Sequence, residues 1–344
     1  MRQTLIYNNP PVIAAHRSIA GRKEADGPLG EWFDVLLQDD LLGQKSWELA
    51  ESEMVRRCAR DALDAAGLSA GSVDALLGGD LNNQIIATSF AAKKLGAPFV
   101  GLYGACSTFV EGLALGAALI DAGHLDSALV SASSHFCTAE RQFRFPLELG
   151  TQRPPQASWT ATACGCALLR NRGAGIRITA GTLGRVIDLN ISDANHMGAA
   201  MAPAVFDTLS AHLANTRRTA DDFDLIVTGD LGWIGRELLL RLFSKAGIDM
   251  PEARLVDCGA SLYFQHQDAH AGGSGCGCVA SVSCGWIMKR MERGELRRVL
   301  LSGSGAMLSP TSSQQGQSIP GISYAVTLEL FGTQEMNADP CQKE

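Results

Sequence analysis

The amino-acid sequence predicts an α/β protein made of two similar βαβαβ halves, which together form a five-layer α-β-α-β-α body. Two observations predict this class: strand-like apolar runs alternate with helical stretches, and the same order of elements occurs twice. The chain has 344 residues, of which 46% are hydrophobic and 19% charged, enough to bury the core of a large duplicated domain. Mostly parallel strands, covered on both faces, are expected.

The internal repeat rests on two pairs of segments. Residues 74–81 and 224–231 each form an apolar run that ends in Gly-Asp-Leu and precedes a helical stretch. Residues 123–131 and 294–302 each begin with a glycine that stops a helix and continue as a strand. Because the two matches occur in the same order, they predict a duplication.

The repeat places a boundary near residue 173. We expect an N-terminal half at 1–173, a C-terminal half at 174–334 and a flexible tail at 335–344. Residues 133–160 form an insertion in the first half that is rich in arginine and aromatic residues. Insertions at the ends of strands commonly build binding sites in α/β proteins.

The sharp turn before Cys106 predicts a site. An apolar stretch turns at Gly104, and Cys106 follows where a helix of small residues begins. Unpaired N–H groups and the helix dipole favour a thiolate at such a position. Cys106 is therefore a candidate nucleophile, and the repeat places a matching glycine-rich turn at residues 273–277.

Composition excludes several classes of function. The net charge of −7 and the absence of a dense Lys/Arg run argue against a nucleic-acid partner. The N-terminal residues lack the apolar core of a signal peptide, and no window approaches the roughly 20 apolar residues of a membrane span. The ten cysteines are expected to be reduced, and two pairs spaced by one residue do not match zinc knuckles. We expect no metal and no cofactor.

Several longer motifs are far more specific than the cysteine alone. They are Gly27-Pro28-Leu29-Gly30-Glu31, Gly79-Asp80-Leu81, Tyr103-Gly104-Ala105-Cys106-Ser107-Thr108, Ser133-Ser134-His135, Met201-Ala202-Pro203, Thr228-Gly229-Asp230-Leu231 and Ala271-Gly272-Gly273-Ser274-Gly275-Cys276. Because of these motifs, the chain from about Asn9 to Leu330 resembles the stage V sporulation protein AD family, within the thiolase and ketoacyl-synthase superfamily.

The resemblance implies a thiolase-like fold whose catalysis is unproven. Members are associated with the SpoVA membrane proteins of the developing spore. The resemblance implies that they take part in moving dipicolinic acid (pyridine-2,6-dicarboxylate), usually with calcium, into the forespore and out at germination, and that they bind dipicolinic acid directly. The expected location is the cytoplasm or forespore, at the inner spore membrane through partner proteins. Thiolase folds also imply a homodimer, paired here through residues 156–166 or 99–103.

The sequence departs from the thiolase active site, so catalysis is left open. His270 lies in a segment that lacks the proline of the thiolase histidine motif and is one residue shorter than that motif. The second catalytic cysteine of thiolases is missing from residues 301–305. Asp230 stands at a position where thiolases have other residues. A carboxylate close to Cys106 would oppose formation of its thiolate. The alternative function is an acyl transferase that uses Cys106, with His270 and Asp230, on a coenzyme A or carrier-protein thioester.

Ligand binding is the favoured interpretation. Arginine matches a carboxylate with a planar fork, which makes Arg141 and Arg144 the best candidates for dipicolinate. The alternative is that these arginines pair with nearby glutamates, that His135 is only a satisfied buried histidine, and that Asp80 and Asp230 cap helices. The full set of candidate ligand contacts is Cys106, Ser107, His135, Arg141, Arg144, Asp230, His270, Gly273 and Ser274.

Overall fold

The computed structural model describes residues 3–143 and 153–331. Arg144 and the tail at 335–344 lie outside the described residues. The strands are β1 Thr4–Ile6, β2 Val12–Ala20, β3 Val35–Leu36, β4 Ala75–Gly79, β5 Phe99–Gly101, β6 Ser127–Ser134, β7 Trp159–Thr160, β8 Ala163–Arg170, β9 Gly175–Thr182, β10 Leu225–Thr228, β11 Leu255–Asp257, β12 Gly273–Ser274, β13 Arg298–Ala306 and β14 Gly321–Phe331.

The helices alternate with these strands. They are α1 Arg22–Ala25, α2 Trp47–Ala65, α3 Ile86–Leu95, α4 Thr108–Asp121, α5 Phe136–Phe143, α6 Met197–Thr216, α7 Gly232–Lys245, α8 Cys258–Leu262, α9 Cys276–Val282, α10 Met288–Glu292 and α11 Pro310–Gln314. A π-helical turn at Ser283–Ile287 joins α9 to α10.

The strands fall into two sets with the same order. The first set runs β2-β8-β6-β4-β5, and the second runs β9-β14-β13-β10-β11. Numbered along the chain, both have the order 1-5-4-2-3. The two sets meet where β2 touches β9, through Val12 and Arg177, and β1 and β3 add to the same sheet. The predicted duplication is therefore visible in the topology.

The strands are less uniformly parallel than the sequence predicts. In the first set β4, β5 and β6 are parallel, whereas β8 is antiparallel to both β2 and β6. The second set repeats this pattern, with β14 antiparallel to β13 and β9. The direction of β8 follows from its connection to β6. Two parallel neighbours must be joined by a crossover to the opposite end of the sheet, whereas an antiparallel strand begins at the end where the previous strand finishes.

The five predicted layers are present. Helices α4 and α9 pack between the two strand sets, α2 and α3 cover the outer face of the first set, and α6 and α7 cover that of the second. The central layer is tight because a Cβ on Gly277 would lie 2.1 Å from the Ala163 carbonyl oxygen, and one on Gly165 would lie 2.2 Å from that of Ala280. The small residues seen in the sequence therefore set how closely α9 approaches β8.

Candidate functional site

The turn that carries Cys106 is strained and internally bonded. Ala105 adopts φ +50°, a left-handed conformation that costs energy in a residue with a side chain. The Ser107 N–H donates to the Gly104 carbonyl at 3.1 Å, and the Thr108 N–H donates to that of Ala105 at 3.3 Å. These two N–H groups at the start of α4 are thus engaged by the turn itself.

Asp230 is the centre of the site. It follows β10 and is buried. Ser274 Oγ donates to its Oδ2 at 2.7 Å and the Gly275 N–H donates to the same oxygen at 3.0 Å, while Ser304 Oγ donates to Oδ1 at 2.7 Å. Four groups from the second half, one of them the carboxylate, therefore form a compact hydrogen-bonded cluster.

This cluster contacts the Cys106 thiol. Cys106 Sγ lies 3.8 Å from Ser274 Oγ, and the thiol is buried. Burial raises the pKa of the Cys106 thiol well above its usual value, and ionisation of Asp230, whose own pKa is also raised by burial, would raise it further. This is opposite to the thiolate expected from the helix N-terminus. Burial outweighs the helix dipole, so the thiol stays protonated at neutral pH.

The two matched aspartates have different roles. Asp80 accepts from the N–H and the hydroxyl of Thr88, at 2.8 and 2.7 Å, and so caps the start of α3. Asp230 does not cap α7, because Asp257 accepts from the Leu231 and Gly232 N–H groups, each at 2.9 Å. With the helix start satisfied from β11, the Asp230 carboxylate is left to face the serines and Cys106.

His135 is a fully buried histidine with both ring nitrogens satisfied. Nδ1 accepts from the Cys137 N–H at 3.2 Å, so Nε2 carries the proton and donates to the Asp40 carbonyl at 2.8 Å. Burial lowers the pKa of His135, which keeps the ring neutral. This geometry favours the structural interpretation of His135 over ligand contact.

His270 is not joined to the cysteine. Its Nε2 lies 3.4 Å from Asp268 Oδ1, and its ring lines a separate cavity of 330 Å³ with Trp233 and Phe264. Among the described residues no hydrogen bond links His270 to Cys106 or Asp230. The residue expected as a proton carrier therefore faces another part of the surface, and its backbone is left-handed, at φ +49°.

The remaining candidate ligand-contact residues lie in two different parts of the structure. Gly273 and Ser274 form β12, which pairs with β7 beside the buried cluster, and Ser107 donates its hydroxyl to the Gly104 carbonyl at 2.5 Å. Arg141 lies elsewhere, in α5, where its guanidinium pairs with Glu48 and lies 5.6 Å from the Trp47 ring. Its side chain is 50% exposed. Arg144, its proposed companion, lies outside the described residues.

Two buried contacts escaped the sequence analysis. Ser304 binds both the carboxylate and the N–H of Asp230, and the only signal for it was its place in the final glycine-rich turn. Glu24 is fully buried and accepts from the Tyr263 hydroxyl and from the Thr162 N–H, the latter at 3.3 Å. Burial raises the pKa of Glu24 to about 7. Nothing local in the sequence indicates that a glutamate beside Lys23 is buried.

The described residues contain no group of three or more His, Cys, Asp and Glu side chains arranged to hold a metal ion. The pairs Cys164/Cys166 and Cys276/Cys278 are separate buried thiols in β8 and α9. Within the same described ranges, no helix combines the length and the apolar character needed to cross a membrane.

Five layers, two matched strand sets and a cysteine before a central helix define a thiolase-like protein. Among solved structures, cerulenin-bound OleA of Xanthomonas campestris matches with a TM-score of 0.61 and 16% identity, over 94% of this chain and 100% of that one. The 3-oxoacyl-(acyl carrier protein) synthase III, FabH, of Pseudomonas aeruginosa PAO1 matches with a TM-score of 0.58 and 17% identity, over 94% and 99%. These similarities establish the fold.

Comparison with protein families gives a more specific assignment than the fold. The model of stage V sporulation protein AD (SpoVAD) matches residues 1–329. Stage V sporulation protein AD of Bacillus subtilis (strain 168) is 41% identical over 331 residues, which are 96% of this chain and 98% of the relative. The chain therefore belongs to the stage V sporulation protein AD family, as its motifs predict.

Proposed function

We propose that this protein binds dipicolinic acid, alone or as its calcium chelate, and acts with the SpoVA membrane proteins in its uptake into the forespore and its release at germination. Family membership over nearly the whole chain carries the proposal. On this proposal the protein acts at the inner spore membrane and is held there by its partners.

The chemistry of the central cluster supports binding over acyl transfer. A Claisen-type transfer needs a thiolate, donors for an oxyanion and a group that moves a proton. Here the Cys106 thiol is kept neutral, and the nearby donors Ser274 and Gly275 already bind the Asp230 carboxylate. The Asp230 carboxyl thus engages groups that could otherwise stabilise a substrate oxyanion.

We also propose a homodimer formed through β5. This strand ends the order of the first strand set, and no described strand pairs with its outer edge. Val100 in β5 is 40% exposed, and Tyr103 beyond it is 44% exposed. An unpaired apolar edge is a template for pairing with a second chain. The other expected segment is less suitable, because its residues 163–166 belong to β8, which is paired on both edges.

Three measurements on the full chain test the proposed binding function. Calorimetric titration with dipicolinate, with and without calcium, is expected to give saturable binding. Intact-mass analysis after incubation with acetyl-CoA is expected to show no acyl adduct, and Cys106→Ser is expected to retain full germination function. An adduct that Cys106→Ser abolishes, together with no affinity for dipicolinate, would establish the acyl-transferase alternative instead.

A further inference from the structure

We propose that Glu51 and Asp80 form a proton-dependent switch, in which protonated Glu51 holds α5 in place and ionised Glu51 releases it. The switch is a buried hydrogen-bonded group of Glu51, Asp80, Asn82, Ser133 and Thr138. These residues come from α2, the turn after β4, strand β6 and α5, so one group of side chains joins four parts of the first half. The switch does not depend on the proposed function.

Two buried carboxyls are joined here by an asparagine. The Asn82 N–H donates to Asp80 Oδ1 at 3.0 Å, and its side-chain amide donates to Glu51 Oε2 at 2.9 Å. Both carboxyls are fully buried, and among the described residues no lysine or arginine forms an ion pair with either of them. Two negative charges buried together without a cation repel each other, so one carboxyl keeps a proton at neutral pH.

Asp80 has the surroundings of an ionised carboxylate. It accepts from the Asn82 N–H at 3.0 Å, the Thr88 N–H at 2.8 Å and the Thr88 hydroxyl at 2.7 Å. Burial raises the pKa of Asp80, and these donors lower it in turn. Three hydrogen bonds donated to one carboxyl group favour its ionised form, which leaves the proton on Glu51.

The Thr138 hydroxyl shows independently that Glu51 is protonated. Its Oγ1 lies 2.9 Å from Glu51 Oε2 and 3.0 Å from the His135 carbonyl oxygen, but a hydroxyl has only one hydrogen to donate. Because the carbonyl can only accept, the hydroxyl donates to His135 and accepts from Glu51. Both contacts are hydrogen bonds only when Glu51 carries a proton. In agreement, burial and the nearby Asp80 raise the pKa of Glu51 to about 8.

Ionisation of Glu51 removes this link and adds a second buried negative charge. The folded-state pKa of Glu51 lies above its usual value of 4.5, so the link is present at low pH and is lost as pH rises through about 8. Strands β4 and β6 are buried along their whole length, whereas α5 lies at the surface, where Arg141 is 50% exposed. Helix α5 is therefore the element that moves and lets water reach the two carboxylates.

The other titratable groups around the pair do not offset this change. The Cys276 thiol of α9 and the Tyr103 hydroxyl beyond β5 face Asp80, and burial raises the pKa of both groups, so both stay neutral near pH 8. The charged side chains on α2, α3 and α5 are paired or lie at the exposed end of a helix: Glu48 with Arg141, Glu53 with Arg56, Glu140 with Arg153, and Lys93 and Lys94 in the last turn of α3.

Limited trypsin digestion of the full chain tests the switch, with the cut after Arg141 in α5 measured by mass spectrometry. The cut after Arg185, an exposed arginine of the second half, corrects for the pH dependence of trypsin itself. The ionised fraction of a group with a pKa of about 8 rises roughly tenfold from pH 7 to pH 9. The corrected cut after Arg141 is therefore expected to be roughly tenfold faster at pH 9 than at pH 7.

Three variants separate the proton from the hydroxyl. Glu51→Gln cannot ionise, so it is expected to keep the slow rate of pH 7 at both pH values. Thr138→Val lacks the link to α5 and is expected to be cut fast at both, whereas Thr138→Ser keeps the hydroxyl and is expected to behave like the original protein. Thr208→Val is the matched control, because the Thr208 hydroxyl is a buried donor to the Ser323 carbonyl, at 3.2 Å, in the other half.

Equal corrected rates at pH 7 and pH 9 in the original protein would overturn the switch, and so would a tenfold rise that persists in Glu51→Gln. If Glu51→Gln does not fold, the two variants at Thr138 decide. A fast cut at both pH values in Thr138→Val, with a normal pH dependence in Thr138→Ser, supports the switch. A normal pH dependence in Thr138→Val refutes it.

Discussion

At the scale of single residues, buried carboxyls decide the chemistry of this protein. Burial, with Asp230 as the second cause, holds the Cys106 thiol neutral, although the sequence predicts a nucleophile at this position. Glu24 is buried with one hydroxyl donor and one amide donor, and burial raises its pKa to about 7. In both places the cost of burying charge outweighs the local hydrogen bonds.

Asp230→Asn is expected to make Cys106 more reactive. The amide keeps one acceptor oxygen but cannot ionise, and ionised Asp230 is, after burial, the second cause that raises the pKa of the thiol. Alkylation of Cys106 by iodoacetamide at pH 8, followed by peptide mass analysis, is expected to be roughly tenfold faster than in the original protein. Cys137 in the same digest serves as the internal control, and equal rates at Cys106 would contradict the role given to Asp230.

Glu24→Gln is expected to stabilise the protein at high pH only. The folded-state pKa of Glu24 is raised from 4.5 to about 7, so folding favours the protonated form, and the stability falls as pH rises from about 4.5 through 7. Glutamine stays neutral and keeps an oxygen for Tyr263. Urea unfolding is expected to show a gain of roughly 2–3 kcal/mol at pH 8 and little change at pH 4.5. A gain of the same size at both pH values would show that the charge of Glu24 is not the cause.

At the scale of elements, close packing of glycine-rich segments fixes the central layer. The sequence predicts α4 and α9 and the strands around them, because small residues and apolar runs are local signals. It does not predict that β8 and β14 are antiparallel to their neighbours, since that depends on how distant segments return to the sheet. Nor does it predict that Asp257, rather than Asp230, accepts from the N–H groups at the start of α7. Asp257 comes from the neighbouring strand β11, and the sequence does not show which strands are neighbours.

Gly277→Ala is expected to disrupt the contact between α9 and β8. The added Cβ would lie 2.1 Å from the Ala163 carbonyl oxygen, so the helix must shift from the sheet. The expected loss in the free energy of unfolding is about 2–3 kcal/mol by urea denaturation. Gly71→Ala is the matched control, because nothing lies within 4 Å of a Cβ there. A variant at Gly277 as stable as the control would contradict the close packing.

At the scale of the whole molecule, the fold separates the candidate residues predicted from the sequence into two places. The second half supplies Asp230, Ser274 and Ser304 to a cysteine of the first half, in the middle layer. Arg141 lies away from this cluster, in α5, where it pairs with Glu48. The sequence predicts one site for all of these residues, because residue types and spacing do not separate the buried centre from the outer helices.

The first strand set also leaves β5 at its end, and this edge carries the proposed dimer. Val100→Lys is expected to convert a dimer to a monomer, because a lysine on an edge strand opposes pairing with another strand. Sedimentation at micromolar concentration measures the mass directly. Ile6→Lys is the matched control, since Ile6 is an exposed apolar residue on the edge strand β1. A monomer in the original protein, or a dimer that survives Val100→Lys, would refute pairing through β5.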